Sequence, residues 1–112
     1  MTIRELASEM ELSLLTQAGA DAEIKNGYCG DLLSWVMGRA PSESVWVTIM
    51  SNKNVLAVAV LAEIRAVLFA EGVQPDSELL AKAEEEGVAL LTSPKPAFEL
   101  AGRIYALLGL PT

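Results

Sequence analysis

From Val45 onward the chain alternates short, almost wholly apolar runs with helix-forming stretches, and no other feature narrows its possible folds so far. The first run, Val45-Trp46-Val47-Thr48-Ile49-Met50, is β-branched, aromatic and nearly free of polar residues. A strand with one wet face alternates apolar and polar side chains. A strand apolar throughout must be covered on both faces, as in a parallel sheet held between layers of helices. Ala66-Val67-Leu68-Phe69-Ala70 and Val88-Ala89-Leu90-Leu91 read the same way. Between them, Val55 to Ala62 is ambiguous by periodicity. It is read as a helix because Ala57, Ala59 and Ala62 favour one and the polar stretch Ser51-Asn52-Lys53-Asn54 precedes it. Pro75-Asp76 opens another helix, capped by Asp76 or Ser77 and ended by Gly87. Thr92 to Pro96 forms a rigid loop before a closing helix, Phe98 to Leu108. Strand, helix, strand, helix with short connections specifies an α/β fold: three layers, α/β/α, with a mainly parallel sheet and right-handed crossovers.

The amino-terminal third carries weaker signals. Thr2 and Glu5 form a capping box that opens a helix to about Met10. Leu12 to Leu15 reads as the first strand, and Glu23 to Cys29 as the second, with Ile24 and Tyr28 its apolar members. Asp31 is the expected N-cap of a helix from Leu32 to Arg39, which Pro41 terminates. The triplet Glu84-Glu85-Glu86 opposes the dipole at its helix C-terminus and reads as a solvated face. There is no internal repeat, linker or low-complexity tract, so residues 1–112 are expected to form one domain.

Composition bounds the function. With 52% hydrophobic and only 5% aromatic residues, the core must be built from Leu, Val, Ile and Ala, without disulfides. The formal charge is −7 and the eight Lys and Arg residues are scattered, so a nucleic-acid surface is not expected. The chain has no histidine, which removes the commonest general base and metal ligand. Cys29, the only cysteine, reads as a small buried apolar residue, although a helix starting just after it would lower its pKa. The amino-terminal residues lack a signal-peptide pattern, and the longest charge-free apolar run, Val55 to Ala62, is too short to span a bilayer. A cytoplasmic location without membrane contact is the expectation.

In an open parallel sheet, ligands bind outside the carboxyl ends of the strands. Four strand-to-helix connections should converge there: Cys29-Gly30-Asp31, Ser51-Asn52-Lys53-Asn54, Glu71-Gly72 and Thr92-Ser93-Pro94-Lys95. Helix starts favour anions, and small polar residues let a ligand approach the backbone. The candidate ligand-binding residues are therefore Gly30, Asp31, Ser51, Asn52, Asn54, Gly72, Thr92 and Ser93. Several also have an ordinary structural reading: Asp31 as a cap, Asn52 and Asn54 as turn formers, Gly72 as the residue that supplies a positive φ. Trp35 and Trp46 read as packing residues, unless exposure marks a partner surface. No GxxxxGK[ST] loop and no GxGxxG after a strand is present. A Mg²⁺-dependent phosphoryl-transfer enzyme, with Asp31 and Glu71 meeting at one ion, is a minor alternative. No catalytic residue, metal ligand or cofactor is assigned.

With these loops placed, residues 27–110 resemble the DRTGG domain family. The resemblance runs through Gly30-Asp31-Leu32-Leu33, Trp46-Val47-Thr48-Ile49, Asn52 to Ala59, Glu71-Gly72-Val73-Gln74-Pro75 and Leu91 to Leu100. Leu32 stands where the family's arginine would follow Asp31, and Ala70-Glu71-Gly72 stands at its Thr-Gly-Gly. The resemblance implies a three-layer domain similar to the N-terminal domain of HPr kinase/phosphorylase, without kinase chemistry. It also implies a regulatory role, pairing as a homodimer, and occurrence beside larger enzymes such as phosphotransacetylases, CBS-containing pyrophosphatases and iron hydrogenase systems. The resulting expectation is a non-catalytic module that binds a small anionic metabolite or nucleotide at the strand ends. The alternative is an interaction subunit or accessory of a larger metabolic enzyme.

Overall fold

The structure, a computed structural model, describes residues 1–111. Helix α1 spans Ile3–Met10, β1 Ser13–Leu14, β2 Asn26–Cys29, α2 Leu33–Arg39 and β3 Ser44–Thr48. Then follow α3 Asn54–Leu61, β4 Ala66–Phe69, α4 Ser77–Glu86, β5 Ala89–Thr92 and α5 Ala97–Leu107. The strands form a five-stranded sheet in the order β1-β5-β4-β3-β2. β2 to β5 are parallel and in sequence order, and β1 pairs antiparallel with β5. This is the three-layer α/β/α sandwich with a mostly parallel sheet that the apolar runs imply.

Every residue of β3, β4 and β5 is buried, because both sheet faces are covered. The period of two along each strand divides the core. Val45, Val47, Ala66, Leu68, Ala89 and Leu91 face α1 and α5. Trp46, Val67, Phe69 and Leu90 face α2, α3 and α4 on the other side. Parallel neighbours joined in order by crossovers of one hand put their helices on a single face, which accounts for the α2–α3–α4 layer. The remaining face is closed by α1 and by α5, which crosses back over β2 and β3.

Local chemistry explains the boundaries. The Thr2–Glu5 capping box is complete: the Glu5 amide donates to Thr2 Oγ1 at 3.1 Å, and the Thr2 amide donates to the Glu5 carboxylate at 2.8 Å. Asp76, rather than Ser77, caps α4 by accepting the Leu79 amide at 2.8 Å. β3 stops at Thr48, two residues before its apolar run does, and Ile49 is left exposed. β5 is shifted by one residue, so that Thr92 belongs to the strand and Val88 packs before it.

The acidic triplet at the end of α4 is not simply a solvated face. The Glu84 carboxylate accepts the Gln17 amide at 2.9 Å and the Ala18 amide at 2.7 Å, holding the β1–β2 connection against α4. Gly19 follows at φ 77°, where a Cβ would lie 2.5 Å from the Gly87 carbonyl oxygen, so the turn requires glycine.

Candidate functional site

The carboxyl ends of β2 to β5 lie along one edge of the sheet, and the four candidate loops occupy it. Most of their polar groups are committed to one another. Gly30 donates its amide to Val47 O at 3.2 Å and accepts the indole N–H of buried Trp46 at 2.9 Å. Asp31 does not cap α2. The N-cap residue is Leu32, in extended conformation and with no side-chain cap. The Asp31 carboxylate instead accepts the Thr48 hydroxyl at 2.7 Å and the Ile49 amide at 3.0 Å. The reason is register: Cys29 pairs with Val47, so Asp31 runs alongside the end of β3 and meets the donors left there.

Gly72, Thr92 and Ser93 also come together, as parts of a seam. β4 and β5 are neighbours whose following helices cover opposite faces of the sheet. Their loops are tied across this divide: Gly72, at φ 79°, donates its amide to Ser93 O at 3.0 Å, and Glu71 donates to Lys95 O at 2.9 Å. The Thr92 hydroxyl donates to Val73 O at 2.9 Å, and the Ser93 hydroxyl accepts the Lys95 amide at 3.2 Å. Glu71 Oε2 accepts the Ala97 amide at the start of α5 at 3.2 Å. Asp31 and Glu71 are thus turned to different tasks. No group of three or more His, Cys, Asp or Glu placed to hold a metal ion occurs among the described residues.

Asn52 and Asn54 are placed differently. Asn52 Oδ1 accepts the Asn54 amide at 2.9 Å, an Asx turn that leads into α3, and Ser51 precedes it half-buried. No side chain caps α3, whose N-cap residue is Lys53. Asn52, Lys53 and Asn54 stand at one end of an open groove of about 810 Å³ between α3 and α4. Leu56, Val60 and Leu61 from α3 and Leu79 from α4 give it an aliphatic lining, while Asp76, Glu78, Lys82 and Glu86 bring charge from the α4 side. Loop chemistry found Asn52 and Asn54 but not this groove. The signal for it was α3 itself: the stretch from Val55 to Leu61 has no polar residue, yet Leu61 is 70% exposed.

Cys29 is exposed, which corrects its reading as a buried residue. Partial desolvation and the neighbouring Asp31 push its thiol up instead of down, which keeps it protonated at neutral pH. Of the tryptophans, Trp46 is wholly buried, whereas Trp35 is 52% exposed with the Arg39 guanidinium 4.0 Å from its ring centre. No helix among the described residues is long and apolar enough to cross a membrane.

No protein-family model matches the chain, and no curated protein sequence matches it. A solved structure does. The chain superposes with a TM-score of 0.70 on the crystal structure of the CBS and DRTGG domains of the regulatory region of Clostridium perfringens pyrophosphatase, complexed with the activator diadenosine tetraphosphate. The two share 10% sequence identity, and the match covers 98% of this chain and 47% of that one. The chain therefore has a fold found in that regulatory region, and spans about half of its length.

Proposed function

We propose that this chain is a non-catalytic regulatory module of the DRTGG type that binds a small anionic or nucleotide-like ligand at the carboxyl edge of its sheet. It acts as a homodimer in the cytoplasm, with a larger metabolic enzyme as its target. The observation that carries the reading is the α3–α4 groove with Asn52, Lys53 and Asn54 at its end. Its volume falls within the usual range for small-ligand sites, roughly 300–1,000 Å³. The aliphatic lining suits a flat ring, and the Lys53 ammonium at the start of α3 suits an anionic group held away from the Glu78 and Glu86 carboxylates of α4. Lys82 supplies a second ammonium along α4, and the Asp76 carboxylate is already engaged by the Leu79 amide. The fold's occurrence in a nucleotide-activated regulatory region supports the same reading.

A thermal-shift titration with adenosine nucleotides and dinucleoside polyphosphates tests it. A ligand at about 100 times its Kd stabilises the folded state by about 2.7 kcal/mol, or several degrees in Tm for a domain of this size. Asn52→Ala combined with Lys53→Ala is expected to remove the shift. Loss of the Asx turn into α3 costs about 1 kcal/mol and lowers the unliganded Tm by several degrees, so the ligand shift is read against the variant's own unliganded Tm. A shift that survives the double substitution would reject the groove, and no shift across the panel would reject the ligand.

One observation favours a second reading, a protein-interaction subunit. On α2 only Val36 is buried, and Leu32 and Trp35 are exposed near Arg39. Trp and Arg are the residue types that most often anchor interfaces. On this reading Trp35→Ala abolishes regulation of the target enzyme and leaves nucleotide binding unchanged.

A further inference from the structure

β2 ends the sheet, with β3 as its one neighbour. Asn26 and Gly30 donate their amides inward to Glu43 O and Val47 O, and along an edge strand the inward and outward residues alternate. The N–H and C=O groups of Gly27 and Cys29 consequently face outward from the edge. Proteins usually guard such an edge with lysine, proline, a bulge or a covering element. Asn26-Gly27-Tyr28-Cys29 contains neither charge nor proline, and its register with β3 is unbroken. Exposed apolar side chains lie close by in the chain or on the packed helix, Leu32 and Trp35 at α2 and Tyr105 on α5.

We propose that the β2 edge is completed by β2 of a second copy of this chain, antiparallel about a two-fold axis at Tyr28. The proposal rests on the homodimer reading above and names its interface. An isologous pair of these strands must keep Gly27 and Cys29 facing the partner, so only a few registers exist, and charge selects among them. Centred on Tyr28, Gly27 pairs with Cys29 of the second copy, each pair exchanging both backbone hydrogen bonds, and Lys25 lies opposite Asp31 of the second copy, whose Oδ1 is held by Thr48 and Ile49 while its Oδ2 is left to accept the ammonium. Centred on Gly27, Glu23 would oppose Asp31 and repel it. Centred on Cys29, Asp31 would oppose Gly27, and Lys25 would have no carboxylate across from it. Lys25 can take the role: its side chain is largely exposed and its ion pair with Glu43 is loose, at 3.7 Å. The second copy thereby brings a cation to the Gly30–Asp31 loop at the ligand edge.

Light scattering and sedimentation on the full chain give the mass, and variants give the interface. The expected result is a species of twice 11.9 kDa. Lys25→Glu should weaken its association at least ~10-fold by setting like charges opposite one another. Gly27→Pro, which removes an outward N–H, should leave a monomer with an unchanged circular dichroism spectrum. Gly27→Cys supplies a readout that does not depend on loss. Paired residues that exchange hydrogen bonds have Cα atoms about 5.5 Å apart, within disulfide range, so copper-catalysed oxidation should link the variant to Cys29 of the second copy. A Cβ at Gly27 makes only ordinary contacts, the nearest with Ile104 Cγ2 at 3.5 Å. Wild-type chains, with Cys29 opposite Gly27, should not cross-link. A dimer insensitive to all three substitutions would overturn the edge while sparing the homodimer. Cross-linking of the wild type through Cys29 would overturn the register, and a monomer at high micromolar concentration would overturn both proposals. Ligand binding by the groove is read separately by the thermal-shift titration.

Discussion

Four glutamates, Glu11, Glu43, Glu63 and Glu71, hold left-handed backbone conformations with φ between 55° and 60°. For an L-residue this conformation costs roughly 1–2 kcal/mol. Three of them have a structural use at that position: Glu11 is the left-handed C-cap of α1, Glu71 accepts the Ala97 amide, and Glu43 O accepts the Lys25 and Asn26 amides that start β2. Glu63 turns the chain from α3 into β4, and its side chain is engaged by no hydrogen bond or ion pair among the described residues. Glu63→Gly is therefore expected to raise stability by about 0.5–1 kcal/mol, after the glycine's extra unfolded-state freedom is subtracted. Urea unfolding would check this, and a loss of stability would show that the glutamate side chain contributes through the folded state. Asp31 is a case where local chemistry misleads. Its type and position suit an N-cap, but the neighbouring strand end offers Thr48 and Ile49 as donors. A local signal cannot see a donor that tertiary pairing delivers.

Among the elements, the β1–β2 connection is held by backbone bonds to the residues around the start of α1, such as the Arg4 amide to Ala20 O at 2.8 Å, and by side chains on its other side. Thr16 Oγ1 accepts the Leu90 amide at 3.1 Å, and Glu84 accepts the amides of Gln17 and Ala18. Those two amides hold the Glu84 carboxyl below the ordinary carboxylate range. A depressed folded-state pKa gives stability that is present above the unfolded value, about 4.3, and is lost as pH falls through the folded value. Glu84→Gln should therefore lower Tm at neutral pH, and the two proteins should converge on acidification through that window. A gap in Tm that stayed constant over that range would show that the carboxylate's charge plays no part. Glu5 and Asp21 shift in the same direction, through the Thr2 cap and the Arg4 ion pair, so they add to the acid sensitivity of the amino-terminal segment.

Over the whole molecule, stability comes from the two cores on either side of the sheet. Phe69 is fully buried at the end of β4, in the layer beneath α2, α3 and α4. Phe69→Ala is expected to cost about 3–5 kcal/mol, a large share of the roughly 5–15 kcal/mol of a typical domain. Equilibrium denaturation would measure it, and a loss under about 1 kcal/mol would mean that the layer collapses to fill the space. The same layer forms the α3–α4 groove. Its two helices follow neighbouring strands and pack on one face, and their outer surfaces leave the groove open between them. The groove and the β2 edge are therefore set by architecture more than by any motif.

The layered α/β class, the places of β3, β4 and β5, and the helices between them were legible in the order of residues. Runs such as Val45 to Thr48 and Ala66 to Phe69 can be satisfied only by burial on both faces, and that requirement is local in the chain. The Asn52 turn was legible too, because turn chemistry is written in neighbouring residues. Other outcomes came only with the assembled fold: β2 and β1 form the edges, Gly72, Thr92 and Ser93 seal a seam, and Asp31 serves β3. Folding also brought Glu84 to Gln17 and Ala18, residues far apart in the chain, and opened the groove between α3 and α4. These outcomes depend on which strands become neighbours and on which face each helix lies. No short stretch of sequence carries that information, because it arises from contacts between distant segments.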